Sequence, residues 1–128
     1  MGVDVKTAPG LHVAFFPGTG DDVPRALEDL GLHVQVLSGS DLETGNLNSY
    51  DAIILGTRAY AVRPEVRAAN KRLLEYVKNG GALIVQYNLQ NFDGDYGPYP
   101  FTLGSNPQKV VDETSQVKLL DPINPVFA

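Results

Sequence analysis

Three short stretches hold side chains that could do chemistry. Gln86-Tyr87-Asn88 closes the apolar run Ala82-Leu83-Ile84-Val85, Gly56-Thr57-Arg58-Ala59-Tyr60 follows a second such run, and Gly18-Thr19-Gly20-Asp21-Asp22 follows a third. In an open α/β sheet, ligands and reacting groups gather at the carboxyl ends of the strands. The three stretches would then share one edge. Arg58 offers a planar fork for a carboxylate or phosphate, or else pairs on the surface with Asp51 or Glu65. Tyr60 either packs on the sheet or lines the crevice. Gln86 and Asn88 are neutral hydrogen-bonders that suit a polar ligand such as a sugar, while the competing use of their amides is to satisfy backbone groups of the following loop. With Tyr87 and Thr19, these residues are the candidate ligand-binding side chains.

The same residues argue against catalysis. A nucleophile elbow needs serine or cysteine on the sharp turn, and Tyr87 stands near that place. The 128 residues include no cysteine, which excludes disulfides, cysteine-ligated zinc and a thiolate nucleophile. His12 and His33, the two histidines, fall at predicted strand starts, away from the candidate edge. That placement disfavours a Ser-His-Asp triad with Ser38, Ser40, Ser49, Ser105 or Ser115. The first turn has Gly-x-Gly, but the third glycine of the dinucleotide fingerprint falls on Val23, and Asp21 and Asp22 would repel a phosphate. Oxygen-bearing residues alternate from Asn91 to Asp95 as in a calcium loop, yet Tyr96 replaces the needed glycine and Thr102 the closing glutamate. No catalytic residue, metal or other cofactor is expected.

These side chains need a scaffold, and the hydrophobic pattern supplies one. Leu11 to Phe16, His33 to Leu37, Tyr50 to Gly56 and Gly81 to Asn88 read as strands, the nearly continuous apolar runs being those of a buried parallel sheet. A helix is predicted from Asp21-Asp22, with Pro24 in its first turn, to Leu30, with Leu27 and Leu30 inward and Gly31 as its stop. Ser38-Gly39-Ser40-Asp41 reads as a turn, and Leu42 to Ser49 as a partial helix or loop. Arg63-Pro64-Glu65 opens a longer helix with Val66, Asn70, Leu73 and Val77 on one face, ended by Lys78-Asn79-Gly80. This alternation predicts a parallel sheet, order 2-1-3-4, with helices on both faces. Residues 89–108 form a long irregular loop whose aromatics Phe92, Tyr96, Tyr99 and Phe101 would pin it to the core or face a neighbour. Lys109 to Asp112 and Val117 to Leu120 are further strand candidates. Residues 1–10 read as a lead-in and 11–128 as one domain. The apolar ending Val126-Phe127-Ala128, without a closing element, suggests a domain that continues.

Composition limits the partners. Net charge is −5 and no basic cluster is present, so no nucleic-acid surface is expected. No apolar run is long enough to span a bilayer, and no membrane role is expected.

Three phrases also resemble a known family. Phe16-Pro17-Gly18-Thr19-Gly20-Asp21-Asp22-Val23-Pro24, the stretch from Tyr50 to Tyr60, and above all Tyr76 to Asn88 are similar to a region of large bacterial PIG-L (LmbE-like) deacetylase-family proteins. Pro98-Tyr99-Pro100-Phe101, Val111-Asp112-Glu113 and Asn124-Pro125-Val126 continue the likeness, which runs from about Leu11 onward. That region follows the family's catalytic domain and looks like the class I glutamine amidotransferase fold. The resemblance implies a flavodoxin-like, three-layer α/β/α domain. It also implies that the zinc-dependent deacetylase chemistry lies elsewhere, since no His-Pro-Asp-Asp motif is present here. The amidotransferase cysteine would fall near Tyr87, and the late triad histidine is missing. The expectation is a non-catalytic accessory domain whose partner is the catalytic deacetylase domain of the same parent chain, with a carbohydrate as possible ligand. The alternative is a sugar-binding or hydrolytic domain in its own right.

Overall fold

A computed structural model describes residues 4–89, 92, 94–104, 106 and 108–127. Four strands form the sheet: β1 (His12–Phe16), β2 (His33–Val36), β3 (Ala52–Leu55) and β4 (Ala82–Val85). All three pairings are parallel and the order is β2-β1-β3-β4, as the alternation predicts. The fold is thus α/β. Registers such as Phe15 to Ile54 to Ile84 set rows of side chains on each face.

The two faces are covered unequally. On one, Ala14, Phe16, Ile53 and Leu55 meet a thick layer made by α3 (Ala59–Val62), α4 (Pro64–Ala68) and α5 (Asn70–Lys78). Val66, Leu73 and Tyr76 are buried there, with Asn70 among them and Val77 partly so, which fits the predicted stripe. Each large apolar side chain in this layer stabilises the fold by about 1.5–3 kcal/mol. The predicted single helix is broken at Ala69, and a separate turn of helix precedes Pro64. On the other face, α1 (Val23–Asp29) alone covers Val13, Phe15 and Ile54. Leu27 packs there, but Leu30 is 43% exposed and not inward. It stands at the cap, past the last helical turn, where the chain turns back to β2.

Ser38 to Asp41 is not a simple turn. It caps α2 (Gly39–Thr44): Ser38 Oγ accepts from the Asp41 amide, and Asp41 Oδ2 accepts from the Ser38 amide at 2.7 Å. The reciprocal bonds satisfy two amides that the first helical turn leaves orphaned. Leu42 and, in the short 3-10 turn after it, Leu47 are thereby buried, and Arg72 donates to the carbonyls of Leu42 and Gly45 at the helix end. The Ser38 hydroxyl and amide hold the Asp41 carboxyl below the usual carboxylate range. The sign follows: this stabilisation is complete above the unfolded carboxylate pKa and is lost as pH falls through the lowered folded value. Ser38→Ala is expected to lower unfolding stability by about 1 kcal/mol at neutral pH. The gap from wild type should shrink in acid, as urea titrations at both pH values would show.

Gly80 and Gly81 end α5 and start β4. Gly80 has φ 100°, its amide donates to Val77 O, and the Gly81 amide reaches Tyr76 O. That is the glycine-dependent helix stop anticipated from sequence. Gly81 also lies under the Tyr76 ring, which donates to Tyr50 O at 3.0 Å.

Beyond β4 the outcome differs from expectation. β4 is the edge strand that the predicted order makes it, but it is not the buried strand expected from its apolar run, and Ile84 is 51% exposed. Neither 109–112 nor 117–120 joins the sheet; both segments lie exposed, without ladder partners among the described residues. Their β-propensity finds no neighbouring strand on which to act.

Candidate functional site

The carboxyl ends of β1, β3 and β4 do converge, and tight backbone contact holds them. Gly18 and Gly56 interlock: a Cβ on Gly18 would sit 2.0 Å from Thr57 O, and one on Gly56 2.6 Å from the Gly18 amide nitrogen. The Thr19 amide donates to Thr57 O at 2.9 Å and its hydroxyl donates there at 3.3 Å. Thr19 is a brace between the two loops. Asp21 completes the join, accepting from the Val23 amide with one carboxylate oxygen and from the Thr57 amide with the other. An internal anion thus occupies the amides that a phosphate would seek, which gives the unfavourable phosphate reading of this turn a structural cause. The expected Asp22 cap makes no side-chain bond.

The β3 and β4 ends are joined through Asn88. Its Oδ1 accepts from the Tyr60 amide at 3.2 Å, and its Nδ2 donates to Gln86 O at 2.9 Å. Both ends of the amide therefore serve backbone, the plainer of the two uses open to it. Tyr60 is 1% exposed and packs rather than lining a crevice. Its hydroxyl donates to Asn70 Oδ1 at 2.6 Å, and its ring touches Phe92 and Tyr96 with centroids 4.8 and 4.7 Å away. Burial, with Tyr96 adding, pushes the phenol up to about 12. Phe101 stacks on Phe92 and completes this aromatic pin, whereas Tyr99 stays exposed.

Three groups are left without a polar partner among the described residues. Arg58 is exposed and has no carboxylate partner among the described residues. Of its two anticipated partners, Asp51 accepts from the His12 amide and Glu65 pairs with Arg63 at 3.2 Å. Arg58 is also the one described non-glycine residue in the left-handed region, with φ 59°, and its amide donates to Tyr87 O at 2.7 Å. Its guanidinium lies 5.9 Å from the centre of the Tyr87 ring, which is 64% exposed. Gln86 carries the third group. Its Oε1 is buried with no hydrogen-bond partner among the described residues, a condition that costs about 1–3 kcal/mol. The residue lines a crevice of about 600 Å³ with Tyr87, Asn88, Leu89, Phe92 and Leu103.

Tyr87 and Gln86 thus stand on an apolar-walled crevice with Arg58 beside the Tyr87 ring, while Thr19, Tyr60 and Asn88 build the supports. Sequence reasoning missed Asp21 and Asn70 as residues that fix those supports, whereas Phe92 pins the loop to the core as anticipated. The spacing of Asp21 to the first turn of α1 was the available signal for the first. His12 and His33 pair across β1 and β2 with ring centres 6.4 Å apart, at the opposite end of the sheet. Asn91 and Asp93 of the calcium-like stretch, and Ser105, lie outside the described residues. Among the described residues no group of three His, Asp or Glu side chains is placed to hold a metal ion, and no helix is long and apolar enough to cross a membrane. Comparison with protein-family models, curated proteins and solved structures gives no match.

Proposed function

We propose that the chain is a non-catalytic accessory domain of a PIG-L (LmbE-like) deacetylase, with a flavodoxin-like, class I glutamine amidotransferase-like fold. It assists carbohydrate binding beside the catalytic domain of the same parent chain. The observation that carries this reading is the exposed Tyr87 ring at the mouth of the crevice past β4, with the Arg58 guanidinium beside it. A sugar ring offers a C–H face for an aromatic and hydroxyls for a guanidinium, and the exposed Tyr87 ring and Arg58 are left uncommitted. The strand-end position that would carry a nucleophile holds Tyr87, and both histidines stand at the far end of the sheet. Those placements favour binding over hydrolysis by this domain.

Titration with N-acetylglucosamine and its short oligosaccharides, followed by NMR amide shifts, tests the proposal. Shifts confined to Arg58, Gln86, Tyr87 and Leu89 are the expected result. Arg58→Ala and Tyr87→Ala should each weaken binding by about twofold to fivefold, the range of one exposed cation–π or stacking contact. No shift at saturating sugar would remove the carbohydrate role. Packing on the catalytic domain would then be the remaining accessory role.

A further inference from the structure

We infer that His12, His33 and Gln35 form a reversible site for a divalent transition-metal ion of the imidazole-preferring kind, Zn²⁺ above all. The site lies at the amino-terminal corner of β1 and β2 and does not depend on the crevice or on the function proposed for it. The parallel register sets His12 directly beside His33. Side chains alternate along a strand. His12 therefore shares the face of Ala14 and Phe16, and His33 that of Gln35 and Leu37. Ala14, Phe16 and Leu37 belong to one core cluster, so the three polar side chains stand on the same face of the sheet. The helical layer over that cluster does not reach this corner, where His12, His33 and Gln35 are exposed. With Tyr50 they line a concavity of about 320 Å³.

The donors are uncommitted and suitably spaced. No ring nitrogen of either histidine bonds a described residue; the Asp51 carboxylate accepts from the His12 amide at 2.8 Å and so fixes the backbone that carries the ring. Gln35 turns its Nε2 to Val36 O at 3.2 Å, which leaves its Oε1 as an acceptor. The two ring centres stand 6.4 Å apart, with planes tilted by 40°. Imidazoles that share one ion through bonds of about 2.0–2.1 Å have centres roughly 5–6 Å apart. A small rotation of two exposed side chains closes the difference. Two imidazoles with a carbonyl oxygen and water suit Zn²⁺, Cu²⁺ or Ni²⁺, whereas Ca²⁺ and Mg²⁺ take shells of oxygen that imidazoles do not supply. A closed structural zinc site has four protein ligands; three donors at an open corner bind reversibly. The chain's net charge of −5 favours a cation. Because the pair exists only when β1 and β2 are in register, the ion joins the starts of the two strands and stabilises the folded chain by mass action.

Urea unfolding and NMR of the imidazole rings, each with added ZnCl₂ and with MgCl₂ as the control, test this. Zn²⁺ at about 1 mM should raise the folded-to-unfolded ratio at least about tenfold, and Mg²⁺ should not. The His12 and His33 ring signals should shift together and saturate at one ion per chain. His12→Gln and His33→Gln should each weaken Zn²⁺ binding at least about tenfold, since either removes one of the two imidazoles. Gln35→Glu puts a carboxylate where the amide oxygen stands and should tighten binding several-fold. All three positions are exposed, so the variants keep the fold. Shifts at one histidine alone, Zn²⁺ stabilisation that survives both histidine substitutions, or an equal effect of Mg²⁺ would each mean an adventitious ion only and overturn the inference. Gln35→Glu without effect on Zn²⁺ affinity would remove Gln35 from the site and with it the three-donor set.

Discussion

Tyr60→Ala is expected to destabilise the fold by about 3–5 kcal/mol, the range for removing a fully buried aromatic ring. The ring is among the largest completely enclosed side chains, and it touches β-sheet, α5 and the loop after β4 at once. Its loss leaves a cavity and also releases Phe92 and Tyr96, so exchange of the 94–101 amides should rise more than that of β1 or β3. Tyr60→Phe separates the hydroxyl from the ring. Asn70 Oδ1 then loses its donor in a buried setting, and a loss of about 1–3 kcal/mol follows. Alkaline titration gives an independent reading. The folded phenol ionises at about 12 and the unfolded one near 10. Between those values the unfolded chain has released a proton that the folded chain keeps. The stability associated with Tyr60 is therefore complete below the unfolded value and lost as pH rises toward 12. Ultraviolet absorbance should show a tyrosine that ionises only as pH approaches 12, and Tyr60→Phe should remove that late step.

Gly18→Ala is the second large effect, about 3 kcal/mol or more. The new methyl would lie 2.0 Å from Thr57 O, where ordinary contact needs about 3.5 Å. That carbonyl is backbone and already accepts from Thr19, so relief requires the β1 and β3 loops to part. Gly81→Ala makes a useful contrast. Its methyl would meet the Tyr76 ring at 2.1 Å, but a ring can swing if it gives up its bond to Tyr50 O, and the loss should be smaller. Gly104→Ala meets nothing within 4 Å and should stay within about 0.5 kcal/mol of wild type. Urea unfolding of the three variants orders them. If Gly18→Ala matched Gly104→Ala, the interlock of the two loops would be wrong.

These positions also show what a sequence can and cannot reveal. The strands, their order and the glycine stop of α5 follow from patterns that local physics writes into the chain, namely apolar runs, punctuation and helical spacing. The exposure of one face of β4 does not. Ala-Leu-Ile-Val reports apolar faces above and below, while the lack of a covering layer over Ile84 leaves no trace in composition. The two valine-rich segments after residue 108 illustrate the converse, since strand propensity without a partner yields no strand. The start of α2 was hidden because Ser-Gly-Ser-Asp has turn-forming residues throughout, and only the reciprocal Ser38–Asp41 bonds distinguish a cap from a turn. At the strand ends the six candidate side chains were visible as residues, but their division into support and open surface was not. Which amide serves backbone depends on where Tyr60 and Gln86 come to lie, and that is a property of the assembled sheet.

The left-handed backbone at Arg58 has a consequence for how a ligand would be captured. A side chain in that conformation costs its residue on the order of 1 kcal/mol that glycine would not incur. In return, the turn aims the guanidinium at the Tyr87 ring before anything arrives. A long flexible side chain usually surrenders its freedom at the moment of binding. Here part of that loss has already been met by folding, so a guest would find the cation in place and association would carry a smaller entropic burden.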